Sequence, residues 1–113
     1  LFLAMGAILT AGAYSAGGMR TYRFAFEGDD KTKSNGTVSR CFTEGFARRV
    51  ETGTFEIVES FIVCTFTRWK HYGAYGGEVD GIIENPVVKK CSFDLKENAI
   101  TVDGVVFKGP KQS

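Results

Sequence analysis

The chain has almost no net charge, a single histidine, and none of the short motifs that mark a cofactor or metal site. Fourteen basic side chains nearly cancel thirteen acidic ones. No bulk field therefore holds a nucleic-acid backbone or an anionic membrane, and binding of either kind must be local. Cys41, Cys64 and Cys91 lie too far apart for a CxxC metal or redox motif. A four-ligand zinc site would need carboxylates beside the one histidine, so neither metal nor cofactor is expected. Ser39, Ser60 and Ser92 lack a G-x-S-x-G setting. Gly73 to Gly81 is glycine-rich but does not lead from a strand into a helix, so it is no phosphate-binding loop. At 113 residues there is room for one domain only.

What is present begins with an apolar head. Residues 1–15 read LFLAMGAILTAGAYS, with no charge before Arg20. An apolar core followed by small residues at Ala11, Ala13 and Ser15 has the form of the rear of a secretory signal peptide. The expected division is a leader-like head over 1–18 and one domain over 19–113, the protein being secreted. Too few uninterrupted apolar residues are available for a stable membrane span. The competing reading is a native helix or strand packed on the domain. In a secreted chain the three cysteines predict one disulfide and one leftover thiol, with all three pairings open. Asn35-Gly36-Thr37 is a candidate N-glycosylation site and also a turn signal.

Thr21 to Glu27 alternates, with Tyr22, Phe24 and Phe26 on one face, and predicts a half-buried strand. Gly28 to Gly36 is polar and turn-rich. Val38, Cys41 with Phe42, Gly45 with Phe46, and Arg49 with Val50 recur at three and four residues, which predicts a helix over Val38 to Val50. Phe55 to Arg68 is β-branched and aromatic, too long for one ordinary strand, and is split by a turn near Glu59 and Ser60. Asn85-Pro86 interrupts an extended piece, which then ends in a turn or lies at an edge. Lys96 to Asn98 turns, and Ile100 to Phe107 carries a second turn at Asp103-Gly104. The expected fold is α+β, one helix packed on a mainly antiparallel sheet.

One constellation interleaves cations with stackable rings: Arg68, Trp69, Lys70, His71, Tyr72 and Tyr75. Unpaired bases stack on such rings while cations meet phosphates. The same composition suits a protein-binding hot spot. Residue types alone do not separate the two.

The element order, with AYGG at Ala74 to Gly77 and SFDLKENAITVDGVVFKGP at Ser92 to Pro110, resembles the small secreted fungal ribonucleases of the T1 type. The resemblance implies a ribonuclease T1-like fold. It also places Lys108 where that family has its general-acid histidine, Thr65 near its catalytic glutamate, and Lys89 or Lys90 near its arginine. No proton-transfer residue is carried over, although Lys108 keeps a charge for phosphate. The chain is thus similar to the catalytically inactive ribonuclease-like effectors of powdery mildew fungi. Their Tyr-x-Cys motif stands here as Tyr22-Arg23-Phe24, without the cysteine. What this implies is a secreted pseudo-ribonuclease, extracellular or delivered into host cells, that binds a host protein such as an immune receptor, or RNA. The binding residues expected are Arg68 to Tyr72, Tyr75 and Lys108. The alternatives are a ToxB-like all-β sandwich effector, or a surface or filament subunit that keeps its apolar head.

Overall fold

The computed structural model describes residues 9–17, 19–26 and 34–110. These form eight strands in one antiparallel up-and-down sheet that closes on itself: β1 (Gly12–Ala16), β2 (Arg20–Phe26), β3 (Asn35–Glu44), β4 (Ala47–Val58), β5 (Phe61–Tyr72), β6 (Glu78–Asp94), β7 (Ala99–Val102) and β8 (Val105–Lys108). Closure between β1 and β8 runs through the pair Ser15 and Lys108. An eight-stranded barrel is just wide enough for side chains to fill it. Here rings do so: Tyr22 meets Phe107 and Phe66 edge-on at 4.9 and 5.9 Å, and Phe24 meets Tyr14 and Phe55 at 5.5 and 5.2 Å.

No helix occurs among the described residues, which overturns the α+β, ribonuclease T1-like arrangement. Val38 to Val50, expected to be helical, is the hairpin of β3 and β4, turning at Gly45-Phe46 with Gly45 at φ 60°. The cause lies at the inward positions. Cross-strand partners share a face, so β3 points Gly36, Val38, Arg40 and Phe42 inward, and β4 points Arg49, Glu51, Gly53 and Phe55 inward. Arg40, Arg49 and Glu51 thus occupy slots where a strand normally shows apolar residues. Period two is broken by these charges, and the apolar residues left over, some inward and some outward, fall at helix-like intervals.

The other punctuation agrees with the sequence. Glu59-Ser60 turns between β4 and β5, with Glu59 at φ 57°. Asp103-Gly104 joins β7 to β8 with both φ positive, at 50° and 80°, as a type I′ hairpin turn requires. Tyr22, Phe24 and Phe26 point inward as their alternation predicts, on the second strand of the chain. Within the apolar head, Gly12–Ala16 is β1 and Tyr14 is fully buried, its hydroxyl donating to the Thr10 carbonyl at 2.9 Å with Asn98 Oδ1 3.2 Å away. Residues 27–33, the greater part of the expected polar connection, lie outside the described residues.

The strands differ in length, and that difference makes the site. β3 to β6 have 10 to 17 residues, whereas β7 and β8 have four each. An inward row of partners runs Tyr14, Tyr22, Arg40, Glu51, Trp69, Gly81, and the next runs Ala16, Arg20, Phe42, Arg49, His71, Val79. Both rows stop on β6. Among the described residues β7 reaches β6 only at Ser92, Phe93 and Asp94. The far ends of β3 to β6 therefore project past the closed barrel as a four-stranded arm with hairpin tips at Gly45-Phe46 and Gly73–Gly77. Two irregularities mark its root, one at Thr52/Gly53 and one where Phe66 pairs with Val87 but Arg68 pairs with Ile82. Gly53 is required there, since a Cβ would stand 1.7 Å from the Thr65 carbonyl oxygen.

Candidate functional site

Where barrel becomes arm, the inward face changes chemistry. Arg40 and Glu51 are direct partners on β3 and β4, with side chains only 12 and 7% exposed. Arg40 Nε donates to Glu51 Oε1 at 2.5 Å, and Nη1 lies 3.3 Å from the Tyr22 hydroxyl. Arg49 donates from Nε and Nη2 to the other carboxylate oxygen, both at 3.1 Å. A buried charge this far from water persists only when paired and hydrogen-bonded, and each carboxylate oxygen here faces a guanidinium. Glu51 is thereby the hub of the cluster, each of its oxygens held by a guanidinium.

Rings continue the cluster outward. Arg40 lies over Phe66 at 4.6 Å and Phe42 at 5.1 Å, and Arg49 lies over the Trp69 ring at 5.1 Å. Trp69 in turn lies across Gly81: a Cβ there would stand 2.8 Å from the indole. On the outer face Arg48 covers Tyr72 at 4.3 Å, and Lys70 binds Glu78 at 2.5 Å. Each cation–ring contact of this kind contributes about 0.5–1 kcal/mol at exposed sites.

The sequence-expected constellation is split by this geometry. Trp69 and His71 stand on the inner face of β5, and Arg68, Lys70 and Tyr72 on its outer face. Arg68 also lines a shallow outer groove of about 400 Å³ with Arg23, Ser39 and Thr52. Tyr75 is at the β5–β6 tip and completely exposed, at 103%. Lys108 is elsewhere: it ends β8 and borders a cleft with Lys96 and Asn98 in the β6–β7 turn, at the end of the barrel opposite the hairpin tips. What the sequence reading did not single out is Phe46, 92% exposed at the other tip, and the Arg40, Arg49 and Glu51 cluster. Phe46 carried a signal, a Gly-Phe pair at a turn, but it was absorbed into the expected helix.

Cys64 and Cys91 face each other inside the barrel with Sγ atoms 4.0 Å apart, while Cys41 is half-buried on the outer face of β3. Hydrogen bonding to Cys91 and burial push the Cys64 thiol well up, so it stays protonated. Asn35 opens β3 and is exposed. Among the described residues no group of three or more histidine, cysteine or acidic side chains is arranged to hold a metal ion, and no helix is long and apolar enough to cross a membrane. Comparison with protein-family models, with curated proteins and with solved structures finds no match.

Proposed function

We propose that this is a secreted, non-catalytic binding module that engages a protein through its projecting arm. The observation that carries it is the pair of exposed rings at the two tips, Phe46 and Tyr75, of a paired sheet. Both are aromatic rings, a residue type enriched at binding interfaces, and each stands at a tip of the arm beyond the closed barrel. Protein is favoured over RNA for two reasons. Trp69 and Tyr72 of the constellation already have the chain's own cations over their rings, which a stacking base would have to compete with. The β6 side of the arm places Glu78, Asp80 and Glu84 where a phosphate backbone would be repelled. Support for secretion comes from an exposed Asn35 in its sequon and not from the apolar head, whose Gly12–Ala16 stretch is barrel strand β1 with Tyr14 in the core; a host-directed role, as in effectors, rests on that sequon and on the exposed tips.

Photo-crosslinking tests this directly, with a benzophenone residue at Tyr75 and a control at Ser92 on the barrel wall. The expected result is protein adducts from Tyr75 alone, resistant to nuclease and to about 0.5 M salt, where charges more than a few ångströms apart are screened. RNA adducts, or binding that collapses with salt, would turn the assignment to nucleic acid. Equal labelling from both positions would remove it.

A further inference from the structure

β6 has an open backbone edge. On one side Glu78 to Ile82 pair with Tyr72 to Arg68 of β5; on the other, among the described residues, β7 pairs with β6 only from Ser92 onward. Every second residue of 78–82 therefore turns its N–H and C=O away from β5, towards the position of a missing neighbour. Proteins usually blunt such edges with charge, proline or bulges. This edge is bounded by Pro86 and by the register shift beside Ile82, leaving one ordinary strand length open.

The strand's own charge is of one sign, with Glu78 already bonded to Lys70 of β5 at 2.5 Å and Asp80 the outer-face carboxylate left for a partner's cation. Glu78, Asp80 and Glu84 fall within seven residues that contain no lysine or arginine. A second copy of the chain laid antiparallel on this edge would set carboxylate against carboxylate, which is destabilising, whereas a strand bearing cations gains from each pair. The two faces differ. Glu78 and Asp80 lie on the outer face, while Val79, 59% exposed, and Gly81 under the Trp69 indole lie on the inner one. We propose that Glu78–Ile82 accepts an extended segment of the partner protein as an added β-strand. The segment carries lysine or arginine facing Asp80 and, sharing it with Lys70, Glu78, and apolar residues facing Val79 and Trp69. It rests on the protein-binding role above and specifies that partner's chemistry: main-chain bonds supply affinity, and the two faces supply specificity.

The test uses the full chain and an acetylated, amidated peptide Lys-Val-Lys-Val-Lys-Val-Lys, with two controls: the same peptide with glutamate for lysine, and the lysine peptide N-methylated throughout. The expected result is saturable binding that slows amide exchange within 78–82, with both controls and the Asp80→Lys variant weakened by about tenfold or more. Equal binding of the N-methylated peptide would reduce the effect to charge attraction and overturn strand addition. So would absence of binding, or protection confined to other strands. Failure of the peptide with crosslinks from Tyr75 intact removes the edge alone; loss of those crosslinks removes the binding module whatever the peptide does.

Discussion

One inward row of the sheet reads Gly12, Phe24, Val38, Gly53, Phe66, Val87, and the row above it reads Tyr14, Tyr22, Arg40, Glu51, Trp69, Gly81. The strands are the same, and so is the alternation. The lower row faces the rest of the barrel wall, and its side chains lose water to one another. The upper row starts inside, at a fully buried Tyr14, and ends on an open edge. Its side chains grade from ring, through a locked ion cluster, to an indole shielded by an arginine. An inward position is only as apolar as the wall opposite it. The arm keeps sheet geometry without a core and covers its inner face with cation-ring contacts instead.

The contrast is sharpest where a core ring is lost. Phe66→Ala removes a fully buried side chain that supports both Tyr22 and Arg40, and should cost about 3–5 kcal/mol in urea unfolding. Glu51→Ala leaves Arg40 in the wall without its carboxylate and should cost about 3 kcal/mol, much of it restored in Arg40→Met with Glu51→Leu. A double variant no more stable than Glu51→Ala would mean that the junction demands the charges themselves.

Alkaline pH separates the same two regions. Burial pushes the Tyr14 hydroxyl from 10.0 up to about 12. The folded state then holds this proton more tightly than the unfolded one, so the stabilisation is complete below about pH 10 and is lost as pH climbs towards about 12. Tyr14→Phe should flatten that limb in unfolding midpoints followed together with tyrosinate absorbance. An unchanged limb would place the titration elsewhere.

Within the arm effects shrink. Gly81→Ala should cost about 1 kcal/mol, because the atom in the way is a side chain and not backbone, yet it should shift Trp69 fluorescence by displacing the ring against Arg49. Smallest of all, Phe46→Ala and Tyr75→Ala should stay within about 0.5 kcal/mol of the parent by urea unfolding. A larger loss would show that the tips hold the arm together rather than face a partner.

Much of the local structure was legible. Tyr22, Phe24 and Phe26 announced a half-buried strand, and Glu59-Ser60, Lys96 to Asn98 and Asp103-Gly104 marked real turns, because alternation and turn chemistry act over a few residues. Asn85-Pro86 does not end its strand in a turn, since β6 runs through it from Glu78 to Asp94; of its two expected meanings the edge is the one that holds. The misread segment, Val38 to Val50, failed for a physical reason: its inward slots hold Arg40, Arg49 and Glu51, whose partners are each other, Tyr22 and distant rings. The binding constellation was half legible. Its residues are neighbours in sequence, but a strand deals them to opposite faces, and Lys108 was joined to them by resemblance alone.

The sequence by itself determined the half-buried strand around Tyr22 to Phe26 and the turns at Glu59-Ser60, Lys96 to Asn98 and Asp103-Gly104, since alternation and turn chemistry act within a few residues. Only the tertiary structure decided that Gly12–Ala16 serves as a barrel stave, that charges line the mouth of the barrel, and that β6 stands open beyond β7. Each of those depends on which wall or edge lies opposite, and that partner is contributed by residues far away along the chain.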